Sequence, residues 1–300
     1  MISSVSVVIP AHNAAPFVAA ALESVLGQSR PAQEVIVVDD ASTDATEEVV
    51  SRYPVTLLRL PTNHGPSEAR NAGVRAATGD VVAFLDADDI WYSNHLEIVA
   101  GLLDRHPEAV VAYSGIRFVG SRVGFWHPLL EPDRPFDAVE RVFDKSGQPP
   151  QITAVVRRAA LLASGGYDPA YRHAQDYELW LRLARHGPFV CVREVTADYR
   201  YHVGQISQLY RVEQTNEVFL ARAACLARLA LEDPAMAARL STKLPKIWSK
   251  EMWGAWGRRD AGYGAGLLRA ARKRSLCSPW TLAKWRVRWT FSRWRGEVWR

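Results

Sequence analysis

Three hundred residues with a hydrophobic fraction of 48% suffice for one large packed domain plus an appendage, which excludes general disorder. Cys191, Cys225 and Cys277 are scattered singly, which excludes a disulfide-stapled scaffold, and no apolar run is long enough to span a bilayer. The net charge of +5 hides an asymmetry: residues 236–300 hold 16 Lys and Arg against 3 Asp and Glu, a net +13 that leaves −8 for residues 1–235, and hold 8 of the 11 tryptophans.

Residues 5–9 read as a strand buried on both faces, stopped by Pro10, so that Ala11, His12 and Asn13 form a loop at its carboxyl end. Phe17, Ala21, Leu22, Val25 and Leu26 then recur at helical spacing, with Gly27 as terminator. Residues 35–38 give a second strand that runs into Asp39 and Asp40. Asp44 and Glu47 have capping-box spacing for a helix reaching about Tyr53, and residues 56–60 give a third strand. Pro66 suits the first turn of a helix that ends before Gly79. Next comes the apolar run 81–85, which breaks off into Asp86, Asp88 and Asp89. Strands alternating with short helices predict an α/β fold with a mostly parallel, Rossmann-like sheet, in which ligands bind at the strand carboxyl ends. Carboxylates crowded at such an end repel one another, and a hard divalent cation holding a diphosphate is the simplest companion for them.

Residues 94–105 read as a helix and 109–113 as a strand. Between 115 and 150 glycine and proline break every long element, so loops are expected there, with one short helix over 138–143. Residues 151–157 read as a strand. Asp176 opens an amphipathic helix with Leu179, Leu183 and Ala184 inward and Glu178, Arg182 and Arg185 outward. Residues 189–192 are strand-like, and from residue 209 the pattern is helical, in short pieces beyond Pro234.

Four segments occur in order: VSVVIPAHN over 5–13, EVIVVDDAS over 34–42, VVAFLDADD over 81–89 and QDYELW over 175–180. Together they resemble the family 2 glycosyltransferases of the GT-A fold, over about residues 3–207. The resemblance implies a catalytic domain over 1–207, with a nucleotide-binding half at 1–114 and an acceptor-binding half at 115–207, followed by a helical, basic, Trp-rich region at 208–300. The implied reaction moves a sugar from a nucleoside diphosphate to a hydroxyl of a glycan or lipid-linked acceptor in cell-envelope polysaccharide synthesis, with inversion at the anomeric carbon.

In that reading Asp88, helped by Asp86 across Ala87, holds Mg²⁺ or Mn²⁺ against the diphosphate, and Asp176 is the base for the attacking hydroxyl. Pro10, Ala11, His12 and Asn13 line the nucleoside pocket. Asp40 faces the base and Asp39 supports the loop; Asp40 as an acceptor can receive the imide hydrogen of uracil, which favours a uridine donor. Arg70 and Asn71 reach toward the nucleotide, Trp126 and His127 meet the acceptor, and His202 is a further metal or diphosphate ligand. Three positions depart from the family pattern. His12 stands where a tyrosine is common, Gln175 where an acidic residue is common, and Ala41 where glycine is usual, which matters if that position needs a positive φ.

The alternating tryptophans and arginines of 279–300 suit a membrane interface bearing anionic lipid, so a cytoplasmic protein peripheral on the inner membrane face is expected. Packing onto the catalytic domain or a partner is the second reading of that segment, and nucleic acid the least favoured. A catalytically silent nucleotide-binding scaffold and a basic-tail binding protein remain alternatives for the whole chain. A sugar nucleotidyltransferase would want a glycine-rich basic loop near the start, and residues 10–16 contain neither glycine nor lysine.

Overall fold

The apolar runs of the first ninety residues become β1 (Val5–Ala11), β2 (Glu34–Asp39), β3 (Thr56–Arg59) and β4 (Val81–Phe84), all parallel, in the order β3-β2-β1-β4. Val7, Val8, Ile9 and all of β4 are fully buried, because α1 (Val18–Leu26), α2 (Thr46–Val50) and α3 (Pro66–Ala76) supply the crossovers that cover the sheet. Helix α3 lies so close to β1 that a Cβ on Gly73 would stand 2.4 Å from Val8, so glycine is required there. The computed structural model describes residues 2–202, 210–257, 265 and 268, and the chain divides into two compact units, Met1–Gln205 and Ile206–Arg300.

Beyond β4 the sheet continues β8-β6-β9-β5 and becomes mixed. β5 (Ile90–Trp91) runs antiparallel to β9 (Phe189–Tyr201), which is parallel to β6 (Val111–Gly120). β8 (Val155–Arg157) is antiparallel to both β4 and β6, and β7 (Gly124–Trp126) folds back on β6 as a hairpin. A buried apolar run has the same composition in either orientation; the connection sets its direction.

Strand structure also runs through residues that the glycine pattern predicts to be loop. Gly115 lies at a register shift between β6 and β9, and a Cβ there would stand 2.9 Å from the carbonyl oxygen of Trp126. Gly120 has φ +96°, and a Cβ would stand 2.3 Å from the carbonyl oxygen of Tyr201. These glycines permit close strand approach and do not end the strand.

The remaining helices of this unit are α4 (His95–Arg105), α5 (Ala138–Phe143), α6 (Arg158–Ala163) and α7 (Gln175–Leu183). Glu178, expected outward, is buried, because its carboxylate forms a bidentate pair with Arg182 one turn on. The second unit has α8 (Arg211–Glu232), α9 (Pro234–Ser241), whose first turn is capped by Asp233, and α10 (Leu244–Gly257). Residues 279–300 lie outside the described residues. Among those described, no helix is long and apolar enough to cross a membrane.

Candidate active site

Because β1, β2 and β4 are parallel, their carboxyl ends share one sheet edge. Ala11 pairs with Asp39, the Asp40 N–H donates to the Ala11 carbonyl at 2.8 Å, and Leu85 N–H donates to Val8, so Pro10 to Asn13, Asp39, Asp40 and Asp86 to Asp88 gather there. Ligands of open α/β sheets bind at this edge.

On the β2 side, Asp40 is buried and its two carboxylate oxygens accept the backbone N–H groups of His64 (2.8 Å) and Gly65 (2.7 Å), which fixes the entry to α3. His12 Nδ1 lies 2.8 Å from the Asp40 carbonyl oxygen; a carbonyl only accepts, so this nitrogen carries the hydrogen. Asn13 takes φ 50° and ties its loop to the next, its N–H donating to Ser42 Oγ and its Oδ1 accepting from Thr43 N–H. Asp39 Oδ1 accepts from Ser42 N–H at 3.0 Å, whereas its buried Oδ2 has no hydrogen-bond partner, with Arg59 Nε 3.8 Å away. Ala41 takes φ 54°, so this position does use the left-handed region.

On the β4 side the carboxylates meet side chains. Arg70, 4% exposed on α3, donates from Nη2 to Asp86 Oδ1 at 2.5 Å. Burial works against the guanidinium charge, but Asp86 outweighs it and the Arg70 pKa is raised. Its Nε and Nη1 are buried without a hydrogen-bond partner, and its guanidinium lies 5.5 Å from the Tyr167 ring centroid. Tyr167 is held by Asn71, whose Nδ2 donates to the Tyr167 carbonyl while its Oδ1 accepts the Tyr167 N–H, both at 2.8 Å. The amide of Asn71 is thus turned to this backbone.

Asp88 Oδ2 stands 2.9 Å from His202 Nε2, and the imidazole stacks on Phe17 with centroids 5.0 Å apart. Burial first, and the Asp86 charge second, raise the Asp88 pKa. Asp89 is almost wholly buried and accepts the Arg200 N–H at 2.7 Å; burial pushes its pKa well above the ordinary range, reinforced by Asp88 and Asp86. Ala87 is buried between the two half-buried aspartates Asp86 and Asp88.

Asp176 lies in the first turn of α7. Protein surrounds it closely although part of its surface stays accessible, and that burial raises its pKa. The Tyr177 N–H, Arg70 and Lys145 oppose the shift, while Asp86 adds to it. Asp86, Arg70, Tyr167 and Asp176 therefore form one electrostatic group.

Trp126 is half-buried in β7 against the core beside Tyr113, and His127 Nδ1 donates to the Arg193 carbonyl. The sequence reasoning missed Phe17, Tyr167 and Asp89. Asp89 had a signal, its place in the same acidic run; Phe17 and Tyr167 carry none that a single sequence displays.

The donor set suits a hard divalent ion. Asp86 and Asp88 offer carboxylate oxygens and His202 an imidazole, and a cation beside Asp88 would counter both causes of its raised pKa. Among the described residues no three His, Cys, Asp or Glu side chains come together closely enough to hold a metal ion by themselves. Ions such as Mg²⁺ commonly complete their shell with phosphate oxygens and water.

The model of the family described as Glycosyl transferase family 2 matches residues 6–164. The chain is 32% identical to an uncharacterized glycosyltransferase of Haemophilus influenzae, over 61% of this chain and 63% of that protein, and so spans less than two-thirds of that relative. It is 34% identical to the amylovoran biosynthesis glycosyltransferase AmsB of Erwinia amylovora, over 65% of this chain and 69% of AmsB. It is 30% identical to the succinoglycan biosynthesis protein ExoO of Rhizobium meliloti, over 77% and 70% respectively. Among solved structures, S. aureus TarS 1-349 in complex with UDP superposes with a TM-score of 0.70 at 19% identity, covering 99% of this chain and 93% of that one. The mannosyltransferase PcManGT of Pyrobaculum calidifontis, in complex with GDP-Man and Mn²⁺, gives 0.62 at 21% identity, covering 97% and 81%. At such identities the likeness establishes the fold, which is GT-A-like.

Proposed function

Because the chain belongs to glycosyl transferase family 2, we propose that it transfers a sugar from a nucleoside diphosphate to a hydroxyl group in a single inverting displacement. The observation that carries this reading is the electrostatic group at the sheet edge. A closely surrounded carboxylate with a raised pKa, Asp176, is coupled through the charge of Arg70 to the carboxylate pair Asp86 and Asp88. A base must sit on one side of the reacting carbon and positive charge on the other.

Asp176, ionised, accepts the proton of the attacking hydroxyl. Its raised pKa strengthens it as a base, and α7 fixes its place. Arg70, kept charged by Asp86, acts on that carboxylate through its charge, which favours the ionised form. Asp88 and Asp86, with His202, would hold Mg²⁺ or Mn²⁺. When bound, that ion supplies the charge that stabilises the departing diphosphate.

Residues 1–114 form the nucleotide-binding half of this reading, with Pro10 to Asn13 lining the nucleoside pocket. Asp40 already receives one backbone N–H on each oxygen, so Asp39 Oδ2, which accepts no hydrogen bond and is ion-paired with Arg59 at 3.8 Å, is the acceptor this reading favours. The imide hydrogen of uracil would meet that oxygen once Arg59 moves aside, which favours a UDP-sugar. Residues 115–207 form the acceptor half. AmsB is named for amylovoran biosynthesis and ExoO for succinoglycan biosynthesis, which supports a cell-envelope glycan or lipid-linked acceptor. The basic, Trp-rich segment 279–300 would hold the enzyme on the cytoplasmic membrane face.

Calorimetric titration with UDP, GDP and dTDP, each with and without Mn²⁺, tests the reading. Binding of UDP that needs Mn²⁺ is expected. Failure of every nucleotide to bind under either condition would overturn it.

A further inference from the structure

Eight large apolar side chains are exposed among the described residues, and three of them, Val123 (82%) and Phe125 (64%) in the β6–β7 hairpin and Leu129 (80%) three residues past β7, fall within seven residues. Single exposed apolar residues need no explanation, but a cluster does. We propose that this hairpin inserts its tip into the interfacial layer of a membrane bearing anionic lipid. The insertion does not depend on the chemistry of the sheet edge.

Three observations carry it. The first is charge. Residues 115–130 include Arg117 and Arg122 and no acidic residue. Arg117 is paired with Asp198, but no carboxylate among the described residues pairs with Arg122. Its guanidinium lies 4.1 Å from the Phe118 ring centroid and 5.4 Å from that of Tyr201, and Nη1 donates to the Tyr201 hydroxyl at 3.2 Å. A cation stacked on aromatic faces beside exposed apolar tips matches the headgroup level of a bilayer, where the cation meets phosphate and the apolar tips meet acyl chain.

The second is rigidity. The Ser121 N–H donates to the Tyr201 carbonyl at 3.1 Å, and Gly120 at φ +96° presses the turn against the end of β9. A tip already fixed loses little conformational freedom on insertion. The pairing also sends Phe125 outward while Trp126 packs on the core, so the apolar face is set by strand alternation.

The third is position. Gly120 pairs with Tyr201, the residue before His202, and His202 reaches Asp88. The hairpin turn therefore stands at the same edge as the carboxylates. Under the proposed function, insertion would bring that edge to the depth at which a lipid-borne hydroxyl or phosphate is presented.

The test uses the full chain with Val123→Cys and Cys277→Ser, labelled with an environment-sensitive fluorophore; Cys191 and Cys225 are buried. It is mixed with vesicles of phosphatidylcholine, with or without phosphatidylglycerol, carrying nitroxide on the acyl chains. A blue-shifted, quenchable signal with phosphatidylglycerol vesicles is expected. The unlabelled triple variant Val123→Ser, Phe125→Ser, Leu129→Ser should lose at least about tenfold in vesicle partition with nucleotide titration unchanged. An unshifted label on vesicle-bound protein would overturn the proposal and leave the attachment to another segment. So would a shift that follows protein concentration without lipid, which would mean a second copy covers the face, or an absence of vesicle binding altogether.

Discussion

The two strands that flank β1 both end in carboxylates, and the two ends are held in opposite ways. After β2, Asp40 is satisfied by backbone N–H groups of His64 and Gly65, and Asp39 by that of Ser42 on one oxygen. After β4, Asp86 and Asp88 meet the side chains Arg70 and His202, and burial first and their mutual repulsion second make Asp88 harder to ionise. Backbone donors cannot leave, so the β2 end is a joint with one oxygen to spare. Side-chain partners and mutual repulsion leave the β4 end open to a positively charged ligand.

The largest effect is expected where the β4 end reaches across to α7. Asp176→Asn should lower sugar transfer by about 10²–10⁴-fold with nucleotide affinity unchanged, measured as kcat with saturating donor. The ionised form does the work and its pKa is raised, so kcat of the parent should fall on the acid side at a pH above the ordinary aspartate value of 3.8. The folded chain holds this proton more tightly than the unfolded one. Stability from the group is therefore present below pH 3.8 and lost as pH rises through the raised value. The Asn variant should consequently melt no lower than the parent at neutral pH, and a lower melting temperature there would contradict the burial argument.

The comparison itself is tested by a pair. Asp40→Ala strands two backbone N–H groups and should cost about 3 kcal/mol of stability, read from denaturant midpoints at constant slope. Asp88→Ala relieves a repulsion and should cost far less, while donor binding loses its dependence on Mn²⁺. If Asp88→Ala unfolds the chain and Asp40→Ala does not, the two ends have been assigned the wrong way round.

The parallel half was legible because each strand is a closed apolar run between punctuating residues, and the acidic residues stand at its ends in sequence as in space. Asp86 and Asp88 could be singled out in that way, whereas Asp176, in the first turn of α7, was singled out only through the family resemblance of its segment. The spare acceptor could not: nothing in the pair Asp39-Asp40 tells which one the backbone of residues 64 and 65 will claim, since that is decided by where α3 begins. Asn71 likewise looks like a ligand residue until its amide is seen facing the backbone of Tyr167, 96 positions away. The hairpin over 111–126 was hidden because Gly115 and Gly120 act as sites of close approach, and a glycine in sequence does not distinguish that use from a turn.

The smallest effect concerns the loop behind the β2 end. Ala41 occupies φ 54°, where a Cβ crowds the backbone and costs about 1–2 kcal/mol. Glycine removes that cost but gives the unfolded chain more freedom, worth about 0.5–1 kcal/mol against folding. Ala41→Gly should therefore stabilise by the difference, about 0.5–1 kcal/mol, a rise in melting temperature that calorimetry can resolve. The same substitution at Ala87, which is buried between the aspartates and has no positive φ, gains nothing and incurs the entropic cost. Opposite signs at these two alanines would confirm that the strain sits in the rigid joint and not at the open end, whereas a loss of stability from Ala41→Gly would mean that the loop after β2 tolerates its side chain without strain.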